Sequence, residues 1–437
     1  MTLYRDPLNH ELFNTYKVQT CSGQPLEVIT VSGNVVQITT AGTTAGDAFG
    51  RLRTSNPYTL FDSSHRYSVN GHWSTSTGIS GTVTFNADQG LVDLKIGTVS
   101  GSKVYRETNR VFAYQPGKSL LTMSTFVMNS GETNLRQRVG YFGSGNGIYF
   151  QQSGSTYSIV ERSSVSGTVT ETIVPQASWN GDKLTGSGQS GFTLDPTKSQ
   201  IFWSDIEWLG VGTVRTGFVI NGQFIVCHSF HHANLVPSTY ITTASLPMRY
   251  EIEALNTLSA SGTLKQICST VISEGGYEAR GDSNSVSLPI SGGRNCTDSG
   301  VFYPVAGIRL KSDRLDAVVV PNAVSLIGAG NNALFNWRVV KNGTISGGTW
   351  TSAGSGSPVE YNLSGVSTSG GEVMTAGYFS ADTQSKNAIE LSTAEFFKYQ
   401  LERNSFTSTP AEFIVQVAAK TNDDDVWVAL DWEEVSK

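Results

Sequence analysis

Charge is scarce in this chain: only 15% of its 437 residues are Asp, Glu, Lys or Arg, and the net charge is −6. No basic cluster exists to release counterions from a phosphate backbone, so nucleic acid is not an expected partner. Cysteine is scarcer still. Cys21, Cys227, Cys268 and Cys296 are scattered without CxxC spacing. A disulfide framework announces itself by density in a small chain, so these four read as buried thiols. No run of about eighteen apolar residues is present, which leaves no candidate membrane-spanning helix. The opening Met1-Thr2-Leu3-Tyr4-Arg5-Asp6-Pro7 lacks the apolar stretch of a secretory signal. The expectation is synthesis in the cytoplasm, with no membrane partner. Nucleophile-elbow, P-loop and dinucleotide fingerprints are also missing, so no cofactor is expected.

What is present is glycine, 46 residues of it, with Ser, Thr and Asn in place of surface charge. That is the composition of many short strands joined by tight turns. The run Ile201-Phe202-Trp203-Ser204-Asp205-Ile206-Glu207-Trp208-Leu209 is too apolar for solvent. After Gly210 and Gly212 a second strand follows, then Asn221-Gly222, the strongest short-range hairpin signal, because both central residues of a type I′ turn need positive φ. Further strands are expected over 81–85, 91–96, 110–114, 119–128, 136–142, 148–152, 156–163, 168–174, 248–254 and 264–273. Strands at this spacing predict a sandwich or barrel rather than a βαβ sheet.

The length exceeds what one core usually supports, so two domains are expected. The fold class is all-β: an N-terminal extended arm over 1–48, a central antiparallel jelly-roll sandwich over 49–280, and a C-terminal β-sandwich-like domain over 281–437 with one short helix. The arm carries a strand, a Gly33-Asn34 turn and a strand over 26–40, followed by a Gly- and Thr-rich linker. A lone hairpin is marginal in water, so it is expected to lie on a neighbouring subunit. The segment 49–61 reads as irregular chain pinned by aromatics. Glycines at 275–293 mark the second boundary. Eight strands are then expected: 307–311, 317–320, 333–341, 348–351, 359–363, 375–379, 412–419 and 426–432. The helix rests on the capping box Ser392-Thr393-Ala394-Glu395 before Phe396-Phe397-Lys398-Tyr399-Gln400-Leu401.

Few residues suggest chemistry. His228, His231 and His232 beside Cys227 have zinc-ligand character, but adjacent histidines on extended chain diverge, and imidazoles bonded to backbone are the simpler expectation. Asp205 and Glu207 fall on one strand face about 7 Å apart. A retaining glycosidase needs about 5–5.5 Å, so pairing with Arg136, Arg138 or Arg215 competes with that reading. Asp195 and Asn422-Asp423-Asp424-Asp425 are oxygen-rich but lack the spaced pattern of a calcium loop. Arg280-Gly281-Asp282 spells an adhesion tripeptide within a glycine-rich linker, and the sequons at Asn295, Asn342 and Asn362 need a secretory route to matter. No metal site and no catalytic site are expected, and the chain does not read as an enzyme.

Several blocks carry a resemblance. Asp47-Ala48-Phe49-Gly50-Arg51-Leu52-Arg53-Thr54-Ser55-Asn56-Pro57-Tyr58-Thr59-Leu60-Phe61-Asp62-Ser63 is one. Others are Leu135-Arg136-Gln137-Arg138-Val139-Gly140-Tyr141-Phe142, Ser178-Trp179-Asn180-Gly181-Asp182, Leu194-Asp195-Pro196-Thr197-Lys198 and the 203–224 hairpin. Together, over 47–280, they resemble virion structural proteins of tailed bacteriophages, those of cyanophages and other marine phages especially. The central unit also resembles a concanavalin-type jelly roll, though no sugar- or calcium-binding residue of those lectins is matched. The resemblance implies a particle component, associated with tail, baseplate or fibre, or else a capsid decoration protein. Its implied partners are other virion proteins and copies of itself, a trimer first, with a host-surface glycan as the alternative ligand. Under that reading the expected assembly contacts are Leu26, Val28, Val31, Val35 and Ile38 on the arm, and Phe49, Arg51, Arg53, Tyr58 and Phe61 on the segment after it.

Overall fold

A computed structural model describes residues 2–5, 12–19, 25–31 and 35–39 as backbone, and 56–276, 281–329, 333–382, 385–386, 389–390 and 399–436. The chain forms two compact units, Met1–Asn56 and Pro57–Lys437. Every strand pair among the described residues is antiparallel, and one short 3-10 turn, Gln176–Ser178, is the helical element among them. The protein is all-β, as its composition implies.

In the first unit, Thr2–Arg5, Leu12–Gln19, Pro25–Val31 and Val35–Thr39 make a four-stranded meander. The hairpin expected over 26–40 is therefore the second half of a small sheet rather than an extended arm. Val28 stands opposite Ile38 and Val31 opposite Val35.

The second unit holds two large hydrophobic cores, one drawn from Phe61 to Val271 and one from Cys296 to Trp432. The first core lies between two sheets. One sheet runs Gln223–Phe230, Val214–Ile220, Gln200–Ile206, Leu120–Val127, Gly262–Ser273, Leu91–Ile96, Gly81–Asn86, with Tyr58–Ser64 also on Gly262–Ser273. The other runs Thr170–Pro175, Thr156–Ser163, Gly147–Ser153, Leu135–Phe142, Met248–Ala254, Lys103–Thr108, Trp73–Thr77. Alternation dictates which side chains meet: along Leu120–Val127, Leu120, Thr122, Ser124 and Phe126 are buried and the residues between them are half-buried. Phe150 from one sheet meets Phe126, Phe202 and Phe218 from the other. The second core lies between a five-stranded sheet centred on Val318–Ala329 and Asp424–Ser436 and a seven-stranded sheet centred on Glu412–Ala419 and Ala333–Ser346.

Some expectations need correction. Residues 49–61 are not all irregular: Tyr58–Ser64 is a strand in register with Gly262–Ser273. Trp73–Thr77 and Lys103–Thr108 are strands that sequence periodicity does not reveal, whereas 110–114 holds only an isolated bridge, Phe112 with Leu246. Most of the capping-box helix, residues 391–398, lies outside the described residues, and Tyr399–Leu401 is irregular chain.

The Asn-Gly turn forms as expected, with Asn221 at φ 51° and Gly222 at φ 75° between Val214–Ile220 and Gln223–Phe230. A Cβ at 222 meets no atom within 4 Å, so a substitution there acts through the backbone alone. Gly222→Ala is expected to lower the unfolding free energy by about 1 kcal/mol, read as a lower urea midpoint, with Asn221→Gly close to neutral.

Candidate functional site

The residues singled out in the sequence are largely occupied by one another. Asp205 is the penultimate residue of its strand and accepts hydrogen bonds from Arg215 and Ser119. Glu207 lies beyond that strand, in the turn where its N–H donates to the Thr213 carbonyl at 3.1 Å. The two carboxylates thus do not share a strand, and the arginine partnership prevails. The histidines diverge: His228 accepts from the Asn180 N–H at 3.3 Å, and His231 pairs with the Thr213 hydroxyl at 3.3 Å. His232 places one ring nitrogen 2.7 Å from Glu161 and the other 2.6 Å from the Gly212 carbonyl, with its ring stacked on Tyr240 at 3.8 Å. Burial opposes its charge, but these two acceptors outweigh burial and raise its affinity for a proton. Burial pushes the Cys227 thiol up, as expected of an inert core cysteine. Among the described residues no group of three or more His, Cys, Asp or Glu is arranged to hold a metal. Asp195 closes a local turn with Thr197, and Asp425 accepts from Asn295 at 3.0 Å. Arg280 lies outside the described residues, and Asp282 opens the strand Asp282–Ser287.

The expected assembly contacts divide in the same way. Leu26, Val28, Val31, Val35 and Ile38 stand on the small N-terminal sheet, and Phe49, Arg51 and Arg53 lie outside the described residues. Phe61 is buried in the core, edge-on to Trp73 at 6.0 Å, which leaves it no surface for a partner, while Tyr58 is half-buried.

The densest polar constellation is one that the sequence does not announce. Cross-strand register lays Ser76, Tyr105, Glu251, Arg138, Gln151 and Ser158 in one row over the outer face of the second sheet. The neighbouring row is Ser74, Glu107, Arg249, Gly140, Tyr149 and Val160. Arg249 reaches Glu107 at 3.0 Å and Glu251 at 2.6 Å, and lies 3.9 Å above the Tyr105 ring. Arg138 also pairs with Glu251, and Lys103 approaches it at 3.1 Å. Arg162 covers the Phe142 and Tyr149 rings and bonds Glu171 at 2.7 Å. Burial opposes ionisation of Glu251, yet Arg249, Arg138 and Lys103 outweigh it and hold the carboxyl well below the usual range. Burial lifts Glu107 the other way despite Arg249. One guanidinium thus bridges the two carboxylates whose proton affinities diverge. These residues form a closed ion-pair layer.

Space opens instead where the two lobes of the second unit meet. Strand Lys103–Thr108 and the loop after it contact residues 402–406: Arg110 bonds Glu402 at 2.8 Å, the Ser405 N–H donates to the Asn109 carbonyl at 3.1 Å, and Tyr105 stacks on Phe406 at 5.2 Å. Beside these contacts runs a groove of about 620 Å³, lined by His72, Asn109 and Arg110 from one lobe and Arg309, Lys341, Asn342, Thr344, Glu372, Asn404 and Glu412 from the other. A narrower continuation of about 70 Å³ passes Tyr399 and Met374. The size falls in the ~300–1,000 Å³ range of small-ligand sites, which favour such junctions. Its lining is polar, and its carboxylates face cations: Glu412 with Arg309 at 3.0 Å, Glu372 with Lys341 at 3.8 Å.

No protein-family model matches the sequence, and no curated protein matches it. Among solved structures the chain is similar to the carbohydrate recognition domain of Emp47p, at 11% identity and a TM-score of 0.31, covering 51% of this chain and 97% of that one. It is also similar to the CBM2 module of the evolved Dit of Lactobacillus casei BL23 phage J-1, at 4% identity and a TM-score of 0.35, covering 52% of this chain and all of that one. A third is a glycosyl hydrolase family 16 protein of Mycobacterium smegmatis, at 7% identity and a TM-score of 0.34, covering 49% of this chain and all of that one.

Neither the ion-pair layer nor the groove was named from sequence. Arg136, Arg138 and the Glu251-Ile252-Glu253 alternation were visible as charges on strand positions, and their parity alone places them on a common face. The groove had no such signal, because its walls come from segments about 200–340 positions apart in the chain.

Proposed function

We propose that this chain is a non-catalytic component of a tailed-phage particle that recognises host-surface carbohydrate with its two-lobed body. The observation that carries the reading is the polar junction groove, whose carboxylates are held in ion pairs and so supply no free acid and nucleophile. Hydroxyl-rich ligands are recognised by such mixed donors and acceptors without chemistry. The particle assignment draws on the resemblance of residues 47–280 to virion structural proteins. Tail, baseplate or fibre attachment is favoured over capsid decoration, because a host-surface ligand is met there.

Residues 1–56, a separate compact unit, serve assembly in this proposal through Leu26, Val28, Val31, Val35 and Ile38. The test pairs two measurements. The full chain should be retained on an array of host-surface glycans without releasing fragments. A chain starting at Pro57 keeps both hydrophobic cores, so it should stay folded and glycan-binding yet fail to enter particles. Absence of any retained glycan ends the carbohydrate reading, and normal incorporation of the shortened chain ends the assembly role.

A further inference from the structure

The junction groove contains a bulged residue whose side chain has no partner. Asn342 adopts φ 55°, a left-handed conformation that asparagine enters more readily than most residues. It is the extra residue of a bulge, because the register against Glu412–Ala419 slips between Lys341 and Gly343. Bulges re-aim side chains and occur beside functional sites more often than elsewhere. The Asn342 amide is exposed, lines the groove and makes no hydrogen bond among the described residues.

The charges around it are already matched. Arg110 faces Glu402 at 2.8 Å, Arg309 faces Glu412 at 3.0 Å, Arg403 faces Asp316 at 2.9 Å and Lys341 faces Glu372 at 3.8 Å. An anionic or cationic ligand would have to break one of these pairs, whereas a neutral ligand leaves them intact. Apart from the exposed His72 imidazole, the uncommitted groups are of another kind. They are the Asn342 amide, the Thr344 hydroxyl and the Asn404 side-chain N–H₂, whose own carbonyl oxygen is taken by the Phe406 and Thr407 N–H groups at 2.9 and 3.0 Å. Amides and hydroxyls complement sugar hydroxyls, which donate and accept at the same atom.

We propose that the groove takes a neutral oligosaccharide through its hydroxyl groups, and that the bulged Asn342 is the residue that reads it. This rests on the carbohydrate reading above and names the ligand class and the determinant. Asn342→Gly tests it cleanly, because glycine accepts positive φ without strain and removes only the amide. Calorimetric titration of the full-length chain would compare neutral oligosaccharides with their uronic-acid counterparts at low and high salt. The expected result is binding of a neutral member with affinity insensitive to salt, weakened about tenfold in Asn342→Gly at unchanged melting temperature. If the parent chain binds a neutral sugar and Asn342→Gly binds it equally, the determinant is wrong while the carbohydrate reading stands. Preferred, salt-sensitive binding of the acidic series overturns the neutral class. If nothing in either series binds, this inference falls together with the reading beneath it.

Discussion

Replacing Glu251 with leucine is expected to lower the unfolding free energy by about 3 kcal/mol, because it takes from two buried guanidiniums a carboxylate that each bonds directly. Arg138 and Arg249 have side chains 5% and 9% exposed, and each bonds Glu251 directly. Burial disfavours the charge on Arg138, and Glu251 is the first of the carboxylates that offset it. Glu253 stays beside Arg138 at 3.0 Å but is shared with Arg136, and Glu107 stays beside Arg249 at 3.0 Å. The pH dependence follows from the direction of the shift. Glu251 ionises more readily folded than unfolded, so its share of stability is present above the ordinary glutamate value of 4.5 and is lost as pH falls below it. Glu107 runs the opposite way, since burial raises its proton affinity and acid relieves that cost. Denaturant midpoints measured across the acid range should therefore fall steeply in the parent chain and less steeply in Glu251→Leu. A loss below about 1 kcal/mol at neutral pH would mean that the ion-pair layer is ornamental to the sheet.

The second large effect lies in the core. Phe150→Ala should remove about 3–5 kcal/mol from the central sandwich, through lost transfer energy and the cavity left behind. Its ring lies 5.1 Å from Phe218, 6.0 Å from Phe126 and 6.0 Å from Phe202, so one truncation unpacks one sheet from the other. Phe224 is the control. It is 53% exposed and touches Trp203 edge-on, so Phe224→Ala should cost under about 1 kcal/mol. Calorimetry on the transition of the central lobe separates the two cases. Equal losses at both positions would show that the sheets do not meet through Phe150.

These two cases also mark where the sequence was readable. Phe202, Ile206, Val214 and Phe218 were visible as strand core because a one-sided sheet writes its burial into alternate positions, and Asn221-Gly222 named its own turn. Trp73–Thr77 escaped because Ser and Thr follow its single tryptophan, leaving no alternation to see. Lys103–Thr108 escaped for a different reason. Its inward positions hold Val104 but also Arg106, a fully buried guanidinium that bonds Gln266, Thr75 and the Val69 carbonyl, so its inner face reads as polar. The partners of the charges on Leu135–Phe142 and Met248–Ala254 are not legible, since a sequence carries no information on which opposite charge lies across the strand. Register supplied that, placing Arg138 between Glu251 and Gln151.

From the sequence alone came the all-β class, the low-charge surface and the tight hairpins, because these depend on local periodicity and turn chemistry. The tertiary structure alone decided which charges neutralise one another and where a ligand-sized space remains. Lys341 and Asn342 share a groove with His72 and Arg110 only after two separately built cores come into contact. Contacts of that range follow from how whole sheets pack, and no short window of residues encodes them.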